Sequence, residues 1–361
     1  MPTLTVAFDT GPLHGPRTGI GFAVDALHDA LSTRDDVRLV DYVLSFRAEL
    51  ATGTTRLPLP AGLAQRAWAR VDQPRVDRWL HGANVVHGTN YVAPPTNHPT
   101  VVSVYDCWFL LHPDQATGHV HRAGRVLRRA IDRGAHVHTS SHATEAVVRE
   151  LFPGAPVRTV HLGPLEPVQP ADAVPVPELD GPPFVLAVGT LERRKNLPRL
   201  VAAFGRIAQE QPDVRLVLAG GPGDDAAAVR AAIDALPAAV AARVLLTGRV
   251  SDAVRSWLQH RATVLAYPSL DEGFGFPLLD AMHADVPIVA SNAGSIPEVA
   301  GDAALLVDAD DVDGLATALA AALTDDALRD RLVVAGRQRR TQFSWQRCAQ
   351  EMTELYQQVA G

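Results

Sequence analysis

One alternation runs twice through the chain and constrains its fold more than any other feature. Short apolar runs rich in Val, Ala and Leu recur between stretches of helical period. In the first half the runs are Leu4–Phe8, Val37–Tyr42, Val85–His87, Thr100–Tyr105, Ala135–Ser140 and Arg158–His161, with amphipathic segments such as 20–33, 120–133 and 142–151 between them. Strands that are apolar throughout are buried on both faces, and intervening helices supply the crossovers that parallel pairing needs. The pattern predicts a doubly wound α/β sheet.

The alternation stops at residues 163–183, GPLEPVQPADAVPVPELDGPP, which hold seven prolines and no period. Such a stretch is a linker. Beyond it the pattern restarts with runs at 184–189, 215–220, 243–248, 262–267, 287–291 and 304–307, and helical segments at 196–210, 225–240, 251–260, 276–284 and 312–323. The organisation expected is a first domain over 1–164, a Pro-rich linker over 165–183 and a second domain over 184–343. An amphipathic helix over 344–361 follows, with Trp345, Cys348, Met352 and Tyr356 on one stripe. A length of 361 residues suits two domains. Open α/β sheets bind ligands at the carboxyl ends of their strands, so two such domains are expected to face a shared cleft.

Composition excludes several classes. No apolar run approaches the roughly 18 residues of a membrane span. The N-terminus lacks a basic region followed by an apolar core and cleavage site, and it reads as a first strand. Cys107 and Cys348 form no metal-ligand pair and fit a reduced, cytoplasmic setting. A net charge of −7 argues against nucleic acid as a partner. The charge is uneven: residues 1–164 carry 16 Arg against 14 acids, the remainder 17 basic against 26 acidic residues. Of the 33 basic residues 32 are Arg, and the single lysine is Lys195.

Four segments can carry chemistry. In TGIGFAVDAL (18–27), Gly19 and Gly21 follow the first strand and open a helix, where bare amides suit an anion or merely make a turn. In VGTLERRKNLPRLVAAF (188–204), Gly189 ends a strand and Arg193, Arg194 and Lys195 lie just beyond it. A solvated basic turn is the bland alternative there; the lone lysine favours anion binding. In YPSLDEGFGFPLLDAMHADVPIVAS (267–291), Glu272 precedes a helix and Asp280 sits inside it, with the amides of Gly273, Phe274, Gly275 and Phe276 between them. Carboxylates accept from vicinal hydroxyls and amides face phosphate oxygens, although an N-terminal cap and a helix-face acid would look the same. In TVVSVYDCWF (100–109), Tyr105 and Asp106 end a strand, facing the cleft or serving as a core-edge ring and a helix cap.

These segments together resemble the retaining glycosyltransferases of family 4, which have the two-Rossmann GT-B architecture. The similarity spans nearly the whole chain and is most specific in VGTLERRKNLPRLVAAF and EGFGFPLLDAMHADVPIVASNAGSIPE. Weaker echoes are TGIG, HGTNYVAPP, SVYDCWFLLHP and TSSHATEAVVRE. The bacterial mannosyltransferases of polysaccharide and glycolipid assembly are the nearest in character. The resemblance implies a C-terminal helix crossing back onto the first domain. It implies a catalytic group of Lys195, Arg194, Glu272, Tyr105 and Asp106, and nucleotide-sugar binding by Gly19, Gly21, Gly189, Arg249, Val250, Gly273, Phe274, Gly275, Phe276 and Asp280. It further implies a GDP-, UDP- or dTDP-sugar as co-substrate, a glycan or lipid-linked acceptor, and neither cofactor nor metal. Asp308 and Asp310 are the metal-dependent alternative, although Asp310 or Asp311 is a natural cap for the helix that follows.

Two departures stand out. Asp280 occupies the position of a Glu that holds the ribose in the family, and Tyr105 the position of a histidine that contacts the donor sugar. Finally, HVHRAGRVLRRAIDR (119–133) places Arg122, Arg125, Arg129 and Arg133 along one helix face. That face is either an ordinary solvated one or a peripheral contact with anionic membrane at the inner surface.

Overall fold

A computed structural model describes residues 3–15, 18–115, 118–165 and 172–361. The chain divides into two compact units, Met1–Gly163 with Phe343–Gly361, and Pro164–Gln342. Part of the proline-rich segment, 166–171, lies outside the described residues.

Among its described residues the first unit holds seven strands: β1 (Leu4–Asp9), β2 (Val37–Val43), β3 (Thr55–Arg56), β4 (Val85–Gly88), β5 (Thr100–Val104), β6 (His136–Thr139) and β7 (Val157–Thr159). All pair in parallel, in the order β3-β2-β1-β4-β5-β6-β7. Its helices are α1 (Gly19–Ser32), α2 (Ala61–Trp68), α3 (Trp108–Leu111), α4 (Gly118–Asp132) and α5 (His142–Leu151). The strand order reverses direction between β1 and β4. That is the topological switch point, where a crevice opens at the carboxyl ends of the strands.

The second unit repeats the plan with β8 (Phe184–Val188), β9 (Arg215–Ala219), β10 (Val244–Gly248), β11 (Val264–Tyr267), β12 (Ile288–Ser291) and β13 (Ala304–Val307). The order β10-β9-β8-β11-β12-β13 puts its switch point between β8 and β11. The helices are α6 (Leu197–Ile207), α7 (Ala226–Asp234), α8 (Ala238–Ala241), α9 (Asp252–Arg261), α10 (Phe276–His283), α11 (Ile296–Ala300), α12 (Val312–Thr324) and α13 (Asp326–Arg339). The single helix expected over 225–240 is two, α7 and α8, because Pro237 has no amide to donate and starts a new turn. On one side of this sheet Leu200, Phe204, Leu216, Val264 and Leu319 join one buried cluster.

The last helix, α14 (Trp345–Ala360), belongs to the first unit and packs on α1 and on β1, β4 and β5. Ser344 caps it by accepting the Arg347 amide at 3.2 Å. Its buried stripe includes Cys348, Met352, Leu355 and Tyr356. The Tyr356 hydroxyl donates to His87 Nδ1 at 2.7 Å. His87 Nε2 then lies 2.8 Å from Ser103 Oγ, Ser103 Oγ 2.8 Å from His138 Nδ1, and His138 Nε2 3.2 Å from the Val160 carbonyl. With both imidazoles neutral, each group donates to the next and none is left over. Burial keeps them neutral: it holds His87 well below the ordinary histidine range and brings His138 down to about 4. Both cysteines are buried. Among the described residues no helix is long and apolar enough to cross a membrane.

Candidate functional site

The switch point of the second sheet brings together residues that are distant in sequence. After β8 the chain turns at Gly189, whose φ is +145°, and a Cβ there would lie 3.2 Å from Lys195 Cε. The glycine thus supplies a backbone conformation that other residues rarely adopt and leaves room for the lysine stem. Arg193–Lys195 form a single 3-10 turn before α6. After β11 the chain passes through Tyr267 and Ser269 to Glu272 and the start of α10.

Glu272 is the hinge of the cluster. It is buried, with one oxygen 2.5 Å from Lys195 Nζ and the other bonded to an Arg194 guanidinium nitrogen. Arg194 also donates to the Asp271 carbonyl at 3.2 Å, and Lys195 Nζ lies 3.3 Å from the Tyr267 hydroxyl. Burial alone would raise the Glu272 carboxyl, but the two cations more than reverse this and hold it at about 2. Burial pulls Lys195 below its ordinary value despite Glu272. The result is a pair of cations held in fixed positions by a carboxylate that stays ionised. Preorganised charge of this kind stabilises an anion without reorganising when it arrives.

Asn196, where the sequence predicts a helix to begin, has a further role in the structure. It adopts the left-handed conformation, φ +56°, which Asn tolerates better than most residues. Its buried side-chain amide donates to the carbonyls of Pro268 (3.0 Å) and Ala309 (2.8 Å), tying three loops together behind the cations. Only its amide chemistry next to a turn could have signalled this. Gly275, φ +99°, opens α10, and Phe274 packs edge-on against Phe276, 5.4 Å between centroids. The next loop closes on this segment: the Ser295 amide donates to the Glu272 carbonyl at 3.0 Å, and any Cβ on Gly294 would strike Asp271 and Glu272.

Asp280 lies to one side of this segment, half-buried on α10. Gln259 Nε2 donates to its Oδ2 at 2.9 Å, and Arg255 of α9 lies 3.8 Å from the same oxygen. Burial raises its carboxyl to about 6, with Arg255 and Gln259 opposing. Neither partner was foreseen. Arg249, exposed, and Val250, half-buried, follow the carboxyl end of β10. Asp311 caps α12 by accepting the Gly314 amide at 2.8 Å, Asp308 accepts the Asp310 amide at 2.9 Å, and Asp310 pairs with Arg199 at 2.8 Å.

The remaining sequence-derived residues lie in the first unit. Gly19 and Gly21 form the first turn of α1, Gly19 exposed and Gly21 buried; Thr18 precedes them without a side-chain cap. Tyr105 is buried. Its ring packs edge-on against Tyr91 and His138, and its enclosed hydroxyl lies beside Ser103. It therefore does not reach outward as a residue facing a cleft would. Asp106 Oδ1 accepts the Trp108 amide at 3.1 Å, which starts α3. Arg129 of α4 and Arg133, the residue after it, both pair with Asp72, at 3.1 and 2.7 Å, so two of the four arginines expected on the basic face share one carboxylate, which offsets one of their two charges. Arg125 and Arg128 are exposed, the latter over the Phe152 ring.

Comparison with known proteins agrees with this arrangement. Residues 169–339, nearly the whole second unit, match the family described as glycosyl transferases group 1. The O-antigen chain mannosyltransferase B of Escherichia coli is 29% identical over 80% of this chain and 78% of its own length. The phosphatidyl-myo-inositol mannosyltransferase of Mycolicibacterium smegmatis is 32% identical over 54% of this chain and 51% of its own. Among solved structures, sucrose-phosphate synthase from Thermosynechococcus elongatus superposes with a TM-score of 0.73 at 20% identity, covering 99% of both chains. The two doubly wound sheets are the GT-B fold, and the chain carries a glycosyl transferases group 1 domain and is a glycosyltransferase.

Proposed function

We propose that the chain transfers mannose, with retained configuration, from a nucleotide-diphospho-mannose to a glycan or lipid-linked acceptor in polysaccharide or glycolipid assembly. The observation that carries this reading is the Lys195–Glu272–Arg194 cluster at the switch point of the second sheet. Breaking the anomeric C–O bond gathers negative charge on the departing diphosphate, and fixed cations stabilise that charge most in the transition state. The amides of residues 273–276 add to them, Asp280 accepts the ribose hydroxyls, and no metal or cofactor is needed. The names of the two mannosyltransferase relatives support the choice of sugar. The exposed Arg125 and Arg128 support a peripheral contact with anionic lipid.

A panel of GDP-, UDP- and dTDP-sugars tests the reading by thermal stabilisation, where a ligand at a hundred times its Kd adds about 2.7 kcal/mol. One nucleotide class should stabilise the protein and release its diphosphate when acceptor is added. No stabilisation by any of them contradicts the proposal. The enclosed Tyr105 hydroxyl favours a second reading, a nucleotide-sugar-binding subunit without activity of its own. That reading gives stabilisation but no acceptor-dependent release.

A further inference from the structure

Helix α9 packs against α10 and brings two of its side chains to Asp280. Arg255 and Gln259 stand one helical turn apart and so share a face of α9. The residues between them anchor the helix. Trp257 and Leu258 are buried, and the Trp257 ring stacks on Phe184 at the start of β8, 6.5 Å between centroids. Ser251 caps the first turn by accepting the Val254 amide at 3.3 Å. The Arg255–Gln259 face is thereby held in place.

Both contacts with Asp280 go to the same oxygen. Gln259 Nε2 donates to Oδ2 at 2.9 Å, and Arg255 Nη1 lies 3.8 Å from Oδ2. The longer contact supplies charge, and the hydrogen bond comes from Gln259. Arg255 is itself steadied by Asp252, whose Oδ1 accepts from Nη2 at 3.1 Å. Oδ1 of Asp280 has no partner among the described residues, and it is not enclosed. The Asp280 side chain keeps only 9% of its surface exposed, and a carboxylate that deep needs a pairing charge and a donor to stay ionised. Helix α9 supplies both, from one side only. Among the described residues Arg255 is the charged group that acts on this carboxyl, and Tyr267 at the end of β11 is the other titratable group near it. A carboxylate with one oxygen tied and the other open has a set direction and a remaining acceptor, which is what an incoming hydroxyl needs.

We infer that Arg255 and Gln259 are positioning residues for nucleotide binding: by holding Oδ2 they fix the Asp280 carboxylate and aim Oδ1 at a ribose hydroxyl of the donor. The inference rests on the reading of Asp280 as the ribose acceptor and adds the two residues that make it one.

Calorimetric titration of the full chain with GDP, UDP and dTDP between pH 5 and pH 8 tests it. The nucleotide that binds the wild type most tightly is then titrated into Arg255→Met, Arg255→Lys, Gln259→Leu and Asp280→Asn, each checked for folding by circular dichroism. Losing the arginine charge favours the protonated acid. Arg255→Met should therefore move the midpoint of the affinity profile up by about one pH unit, from about 6 in the wild type. Arg255→Lys keeps the charge and should stay near the wild type. Gln259→Leu should weaken binding about tenfold at pH 8 and raise the midpoint as well. Phosphate groups also titrate at about pH 6, but they do so alike in every arm, so the displacement between variants is what is read. Weaker binding with an unmoved midpoint marks a merely structural role and overturns the inference, as does wild-type behaviour of both Arg255→Met and Gln259→Leu. If one of these two fails to fold, the other decides. Asp280→Asn separates the two failures. Weakened binding there, with silent α9 variants, sinks only the positioning role. Unchanged affinity in Asp280→Asn, or no binding of any of the three nucleotides by the wild type, sinks the ribose reading itself.

Discussion

Replacing Glu272 by Gln removes the one buried carboxylate that holds both Lys195 and Arg194. In the folded chain this carboxyl titrates at about 2 against an ordinary 4.5. That depression is worth on the order of 3 kcal/mol at neutral pH. The cost of breaking a buried ion pair by removing one partner, about 3–5 kcal/mol, agrees. Lys195 limits the loss, because burial already pulls its pKa down and it can shed its proton once Glu272 is gone. The sign of the pH dependence follows from the depressed pKa. The contribution is complete above pH 4.5 and disappears as pH falls toward 2. Urea unfolding of the wild type and Glu272→Gln at pH 7 and at pH 3, with calorimetry to follow the second unit, measures both effects. The variant should be less stable by about 2–4 kcal/mol at pH 7, and the gap should narrow at pH 3. Equal stability at pH 7, or a gap that widens on acidification, would show that Glu272 does not hold the cations in place.

Three further outcomes follow from the same geometry. Nucleotide diphosphate affinity should fall as pH drops through about 6, where Asp280 takes up a proton, and Asp280→Asn should weaken binding at pH 8 while flattening that profile; unchanged affinity removes Asp280 from the ribose site. Tyr356→Phe leaves buried His87 Nδ1 without its donor and should cost about 1–3 kcal/mol of stability, read by denaturant unfolding at unchanged m-value. EDTA should leave transfer largely intact, and a complete loss restored by Mg²⁺ or Mn²⁺ would reopen the Asp308/Asp310 loop.

Much of the framework is legible because parallel strands buried on both faces must be apolar along their whole length. Runs such as FVLAV at 184–188 and IVAS at 288–291 stand out against any background. What escaped has weak patterning. Strand β3 is two residues at the sheet edge, too short for any period. Helix α13 buries only Leu332 and Gly336, so its charged sequence shows no stripe. Helix α2 follows a run of prolines and threonines that hides its start. At the site, the sequence separates what the fold joins. Lys195 and Glu272 are each conspicuous, but they stand 77 positions apart, and only the β8–β11 pairing brings their ends together. Likewise Asp280 looks like a free acceptor until α9 sets Gln259 and Arg255 against it.

The most direct test of the central claim is the acceptor-dependent release of nucleotide diphosphate by wild type and Lys195→Ala, with circular dichroism to verify the fold. Losing one preorganised partner of the developing charge should lower kcat/KM by about 10²–10³. Transfer by Lys195→Ala at the wild-type rate would mean that the diphosphate leaves from somewhere other than the Lys195–Glu272 cluster.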